Sequence, residues 1–471
     1  MSQTSQEERE MKTTRRQFMA GSAAATAGMV LGRHAAERQA AANTDRPNIV
    51  LIMSDDQGYE TVGAYGAQDY QTPRLDELAE TGMRFDQAYS LPICTPTRVQ
   101  IMSGKYNSRN YVGFGRMDPD IYTFGNLFQE AGYATFIGGK WQLAAFEGRE
   151  AALEEPHHFG FDEYCLWQLS RAPRHGVDVP PRYANPGLEI DGEEVDFDNG
   201  EYGPDIVTDH INGFIERHQD EPFFVYYPMI LPHWPFEPTP DSEDWDPTFR
   251  RGDDTERGHY RDPKYFREMV AYTDKMVGKI VDKLAELGLR EKTLVIFTSD
   301  NGTYEGLVSE INGEEVTGNK GYPTEMGAHV ALIANWPGAI AEGGVNEDLI
   351  CFTYFFPTLA DVAGIALPGG LELDGQSFAP VLRGEPADLR DWLYQWYYRN
   401  NNPGDERSGE FARTQRYKLY RDGRFHDLAE DPLEEEEPLD PDELTEEQRE
   451  IRERLRAIIE EHTRPGFHDE S

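Results

Sequence analysis

With 86 acidic against 45 basic side chains in 471 residues, the chain carries a formal charge of −41, which excludes nucleic acid as a general partner and calls for a strongly solvated surface. The length is ample for a large core, and two domains are expected. Three cysteines are too few for a disulfide framework, so Cys165 and Cys351 read as buried thiols.

Residues 1–42 read as a targeting segment. Thr14-Arg15-Arg16-Gln17-Phe18-Met19 precedes an uncharged Ala/Gly-rich run ending near Gly32, and Ala40-Ala41-Ala42 offers a small-residue cleavage site. This is the pattern of a twin-arginine export signal, and the run is too short and too weakly apolar for a stable membrane span. A mature chain beginning near Asn43 is expected, periplasmic or extracellular, with the twin-arginine export machinery as a partner in maturation.

From Pro47 the chain reads Asn-Ile-Val-Leu-Ile-Met and then Ser54-Asp55-Asp56-Gln57-Gly58. A continuous apolar run halted by carboxylates is the mark of a buried parallel strand that ends in a functional loop. The pattern recurs at residues 133–137 before Gly138-Gly139-Lys140-Trp141, at 223–230 before Pro232-His233-Trp234-Pro235, at 293–298 before Ser299-Asp300-Asn301-Gly302, and at 330–334 before Trp336-Pro337-Gly338. Open α/β sheets bind ligands outside the carboxyl ends of their strands, so these loops are expected to converge on one crevice. Helices are expected at 73–80, 124–131 and 263–287, stopped by Gly82, Gly132 and Gly288; the last covers the sheet through Met269, Met276, Ile280 and Leu284.

Residues 145–200 and 236–262 are rich in proline, glycine and charge without periodicity, and read as rim loops that shape a substrate entrance. Beyond Leu382-Arg383-Gly384 the composition changes. Residues 392–398, 417–420 and 424–428 read as short antiparallel strands, 434–437 as a solvated glutamate run, and 444–461 as a charged helix. The expected architecture is α/β: a large, mostly parallel or mixed sheet sandwiched by helices over 43–385, and a smaller domain of antiparallel sheet plus helix over 386–471.

The chemistry gathers at Cys94-Thr95-Pro96-Thr97-Arg98. Pro96 suits the first turn of a helix, and Gly104 is placed to end it. Cys94 then sits at the positive helix end, with Arg98 one turn on and able to reach back toward the same atom. Asp55, Asp56, Asp300 and Asn301 are hard oxygen donors at strand ends, with no His or Cys cluster at zinc spacing; calcium or magnesium is the implied metal.

Cys94-x-Pro96-x-Arg98 followed by Gly104 resembles the signature of the type I sulfatases of the alkaline phosphatase-like superfamily, and spaced motifs match in family order from Pro47 to about Glu434. The resemblance implies that a formylglycine-generating enzyme oxidises Cys94 to formylglycine, whose hydrated aldehyde attacks sulfur. It implies that Asp55, Asp56, Asp300 and Asn301 hold a divalent cation that residue 94 also touches, and that Arg98 holds the formylglycine. Lys140, His233 and Lys320, the last in Gly318-Asn319-Lys320-Gly321, match the sulfate-binding cations. Thr97 stands where Ser is commonest, Lys105 where Arg usually closes the signature, and His329 where Arg is common, a departure that touches packing or substrate fit. Gln142 occupies the pocket position of a His that helps expel sulfate, and Gln cannot usefully accept a proton near neutral pH. The expected activity is hydrolysis of a sulfate ester, the long rim loops favouring a sulfated glycan over a small aryl sulfate. Rival readings are a phosphonate or phosphodiester hydrolase on the same fold, and a catalytically weak sulfoglycan-binding protein.

Overall fold

A run such as Ile49-Val50-Leu51-Ile52, with every side chain fully buried, can hide both of its faces only in a sheet covered on both sides. The computed structural model, which describes residues 46–169, 180–249 and 262–468, contains such a sheet of ten strands. Their spatial order is Gly344–Asn346, Met83–Phe85, Leu332–Asn335, Thr293–Ser299, Asn48–Ser54, Phe223–Pro228, Ala134–Lys140, Glu163–Trp167, Gly187–Ile190 and Glu193–Asp196. The five central strands, from Thr293–Ser299 to Glu163–Trp167, are mutually parallel. The expected export signal and parts of both rim stretches lie outside the described residues.

Alternation along the central strand sorts the core into two layers. Ile49, Leu51 and Met53 face one layer, packed with Val99, Ile101 and Met102 of the helix Cys94–Ser103 and with Phe124 and Phe128 of Phe124–Glu130. Val50 and Ile52 face the other, against Val207 and Ile211 of Gly203–Arg217 and Met269, Met276, Ile280 and Leu284 of Pro263–Glu286. The first layer continues without a break into a four-stranded antiparallel sheet, Leu393–Tyr397, Gly409–Arg413, Tyr417–Tyr420 and Phe425–Asp427, covered by Leu455 and Ile459 of the helix Glu446–His462. Cys94, Cys165 and Cys351 are all buried and unbridged.

Four expectations need correction. The run at 330–334 does form a buried strand, Leu332–Asn335, but it lies antiparallel to both neighbours; an apolar run reports burial on two faces and is silent about direction. Its carboxyl end and Trp336 therefore point away from the crevice, and the segment entering it, 318–329, reaches the crevice instead. The stretch 145–200 is not only loop, since it supplies Glu163–Trp167, Gly187–Ile190 and Glu193–Asp196. The helices Gly203–Arg217 and Phe355–Val362 and the strand Gly409–Arg413 lie where none was expected. The glutamate run is solvated only at Glu435, Glu436 and Glu437, for the side chain of Glu434 is 3% exposed.

Candidate active site

The parallel register pairs Ser54 with Ser299 across the two central strands, so the residues that follow, Asp55 and Asp300, leave the sheet side by side. Backbone bonds hold the two turns together: Asp300 N–H donates to the Ser54 carbonyl at 3.0 Å, and Asp56 N–H to Asp300 Oδ1 at 3.1 Å. Gln57 N–H and Gly58 N–H donate to the hydroxyls of Ser299 and Thr303. Asp56 adopts φ 70°, a left-handed conformation that turns its carboxylate back over the strand ends. Asn301 Nδ2 donates to Asp56 Oδ1 at 3.0 Å.

Lys140 arrives from the next-but-one strand. Gly139 (φ 112°) lets this happen, because a Cβ there would lie 2.0 Å from the Pro228 carbonyl. Lys140 Nζ, 1% exposed, sits 2.7 Å from Asp55 Oδ2. From the opposite side Lys320 Nζ reaches 2.5 Å from Asp56 Oδ1. Burial would raise the Asp55 carboxyl, but Lys140, then His233 and Lys320, outweigh it and hold it well below the usual range. Burial, then Asp55 and Asp56, push Asp300 far above that range against the pull of Lys140. Three packed carboxylates cannot all ionise comfortably here without a further cation.

Cys94 begins the helix Cys94–Ser103, which Gly104 ends in a left-handed turn (φ 64°). Its sulfur is buried, and it lies within electrostatic reach of Lys320, together with Asp55, Asp56 and Asp300. A bond from Gly321 N–H to the Pro92 carbonyl at 2.7 Å ties the Lys320 turn to the Cys94 loop. Arg98 departs from expectation. Its two terminal nitrogens donate to the carbonyls of Lys140 and Trp141, and not to residue 94. Those carbonyls lie where the strand leaves the sheet and need donors, so Arg98 fixes the end that carries Lys140. Its Nε is buried and, among the described residues, has no hydrogen-bond partner.

His233 follows the cis Leu231-Pro232 bond. Its Nδ1 contacts the Trp234 carbonyl and lies 3.2 Å from Arg182 Nη1, while Nε2 faces Asp56 Oδ2 at 3.8 Å. Burial, reinforced by Lys320, Lys140 and Arg182 against Asp55, holds the imidazole well below its ordinary value. Gln142 takes φ 49° and donates to Gln168 Oε1 at 2.5 Å; Gln168, at the end of the adjacent strand, is likewise left-handed at φ 62°. His329 is a packing residue, stacked on Tyr59 and Tyr89 with Nε2 against the Asp86 carbonyl. Arg182, Gln168 and Glu434 were not anticipated. Gln168 could have been found from the apolar Tyr164–Trp167 run before it, whereas Arg182 lies in an aperiodic Pro-rich stretch that gives no signal.

The donor set fits a hard divalent ion. Among the described residues, Asp55 Oδ1, Asp56 Oδ2 and Asn301 Oδ1 are buried oxygens without a hydrogen-bond partner, and such groups are costly unless something fills their lone pairs. Asp55, Asp56 and His233 also offer ligand atoms within 4.8 Å of one another. With a predominance of oxygen donors, calcium or magnesium suits the site better than zinc. Asp55 and Asp56 are matched one to one by Lys140 and Lys320, which leaves no surplus of positive charge; a divalent cation would create one.

A sequence model of the family described as Sulfatase matches residues 47–365, and one described as N-sulphoglucosamine sulphohydrolase, C-terminal, matches 313–461. Arylsulfatase A of Homo sapiens is 32% identical over 424 residues, spanning 82% of this chain and 77% of that protein. The N-acetylglucosamine-6-O-sulfatase of Bacteroides thetaiotaomicron is 26% identical over 489 residues, spanning 83% of this chain and 82% of that one. Among solved structures, a protein in complex with its substrate D-glucosamine-2-N,6-O-disulfate superposes with a TM-score of 0.70 at 24% identity, over 90% of this chain and 100% of that chain. The phosphonate monoester hydrolase of Agrobacterium radiobacter superposes with a TM-score of 0.65 at 20% identity, over 88% and 96%. These superpositions show the fold, which serves two ester chemistries and does not choose between them.

Proposed function

The chain belongs to the sulfatase family, as an enzyme of sulfate ester hydrolysis, and from that premise we propose that it acts through a formylglycine made from Cys94 beside a calcium or magnesium ion. The observation that carries this reading is the convergence of three orphaned buried oxygens, on Asp55, Asp56 and Asn301, with Lys320 in reach of both that cluster and Cys94. Asp55, Asp56, Asp300 and Asn301 would hold the ion, which would supply positive charge where an anionic ester binds and acidify a hydroxyl placed against it. Formylglycine supplies a hydrated aldehyde as nucleophile. Arg98, bonded to the Lys140 and Trp141 carbonyls, would act on the site by fixing the strand end that carries Lys140.

Lys140 and Lys320 bind and orient the sulfate group, and they also stabilise the charge that gathers on oxygen as the ester bond breaks. Their attachment to Asp55 and Asp56 fixes both ammonium groups in advance, so little reorganisation accompanies the reaction. His233 adds a hydrogen bond. A sulfated glycan is the favoured substrate class, supported by the aperiodic rim segments and by the sugar sulfatase named among the relatives. We assign the catalytic unit to residues 43–385 and a supporting unit to 386–471. Among the described residues no helix is long and apolar enough to cross a membrane.

Assay of one purified sample on a sulfated oligosaccharide, an aryl sulfate, a phosphodiester and a phosphonate monoester tests the reading. The sulfate esters are expected to turn over at least tenfold faster in kcat/KM. Preference for a phosphorus ester would favour the rival hydrolase, and tight sulfoglycan binding without turnover would favour a binding protein.

Gln142 makes a separate prediction. Its amide is committed to Gln168 and cannot serve as a base, so the half of the cycle in which sulfate leaves and a proton must be removed is slowed more than the first half. The first alcohol product should then appear in a burst of about one equivalent per active site before slower turnover. Gln142→His should speed the steady state and shrink the burst. Linear release from the first turnover, with Gln142→His no faster, contradicts this.

A further inference from the structure

The turn that delivers Lys320 is held from the small C-terminal sheet. Lys418 Nζ and Tyr420 Oη, on one strand of that sheet, both lie within hydrogen-bond distance of the Pro323 carbonyl, at 3.0 and 2.8 Å. Gly409, on a second strand, packs so closely that a Cβ there would meet the Pro323 ring at 2.5 Å. Arg413 pairs with Glu325, whose other oxygen accepts from Tyr89 Oη at 2.9 Å. Glu434 closes the arrangement: its carboxylate accepts from Lys418 Nζ at 2.7 Å, from Tyr420 Oη at 2.5 Å and from Glu325 N–H at 3.0 Å. Lys418 and Glu434 are 1% and 3% exposed.

Behind Pro323 and Glu325 the turn has little room to move. A Cβ at Gly327 would strike the Tyr322 carbonyl at 1.9 Å, and one at Gly302, next to Asn301, would strike the Met326 carbonyl at 2.0 Å. Lys320 N–H is fixed to the Thr303 carbonyl at 3.0 Å. A displacement at Pro323 is therefore passed to Lys320 rather than absorbed. A fully buried Lys–Glu pair is weak as a device for stability, because desolvation offsets its attraction. Glu434 also holds φ 59°, a strained conformation for a side-chain-bearing residue.

We infer that Glu434, with Lys418 and Tyr420, is a positioning residue for Lys320, holding the turn 320–327 so that the ammonium group stays over Asp56; this rests on the reading of Lys320 as a sulfate contact. The test is a double-mutant cycle in the full-length, metal-loaded enzyme. Glu434→Gln is expected to lower kcat/KM for a sulfate ester about tenfold, mainly through KM, and to weaken calorimetric binding of inorganic sulfate about as much. In a Lys320→Met background, itself down about a hundredfold, Glu434→Gln should cost less than about twofold. Equal costs in the two backgrounds would overturn the inference, since a residue acting through general stability is indifferent to Lys320. Lys320→Met without effect would instead overturn the assignment of Lys320, and this inference with it. Tyr420→Phe removes the hydroxyl that faces both the Pro323 carbonyl and Glu434 without unpairing the buried charge, and guards against misfolding: about threefold in the parent and none in Lys320→Met is expected, and equal costs again contradict.

Discussion

Replacing Cys94 by alanine is expected to abolish turnover, lowering kcat for a sulfate ester by at least about 10⁴, because a nucleophile and everything oriented on it are lost together. The fold should hardly notice. Cys94 is buried but unbridged, and the helix it opens is anchored by residues further along, with Val99, Ile101 and Met102 in the core and Thr97 Oγ1 bonded to the backbone at Leu91 and Ile93. Loss of one sulfur atom should shift the thermal midpoint by only a few degrees, consistent with about 1 kcal/mol or less. The paired measurement of kcat and melting separates the two effects. Turnover within tenfold of the parent in the Cys94→Ala variant would remove residue 94 from the mechanism.

Metal removal is the second large effect. Chelation is expected to reduce activity by about 10³ or more, and calcium or magnesium, but not zinc alone, should restore it. The same treatment has a readout that does not depend on turnover: an ion bound only by the folded chain raises the melting temperature by mass action. Asp300→Asn distinguishes the electrostatic argument from a general weakening. In the metal-free protein the carboxyl of Asp300 is crowded by Asp55 and Asp56, so its neutral replacement should melt no lower than the parent, while losing both the metal-dependent rise and the activity. A metal-free Asp300→Asn protein that melts far below the parent would contradict the picture of three carboxylates awaiting a cation.

Much of this was legible in the chain because it is local. The carboxylates after Met53 and after Thr298 announce themselves by ending apolar runs, and the parallel sheet then brings Asp55 and Asp300 together through the Ser54–Ser299 register. The helix Cys94–Ser103 could be read from Pro96 and from Gly104, whose left-handed turn only glycine adopts without strain. The losses all depend on tertiary context. Leu332–Asn335 runs antiparallel because of where its preceding loop must go, which no hydrophobic pattern records. Arg98 was expected to turn to Cys94, whereas its terminal nitrogens meet the carbonyls of a strand end brought up from 42 residues away. The helix Gly203–Arg217 opens with Gly-Pro and carries Asn212 and Gly213 inside, so propensity conceals an apolar stripe of Val207, Ile211, Phe214 and Ile215. Glu434 is one of four consecutive glutamates, and only packing against Lys418 and Tyr420 sets it apart from its solvated neighbours.

The proposed role of residue 94, a hydrated aldehyde beside a divalent ion, is tested most directly by tandem mass spectrometry of the peptide containing Cys94. In protein produced together with a formylglycine-generating enzyme, residue 94 is predicted to carry a formylglycine aldehyde that is captured by a hydrazide reagent, with specific activity rising in proportion to the fraction converted. An unmodified thiol at Cys94, quantitatively alkylated in a fully active sample, would contradict the account.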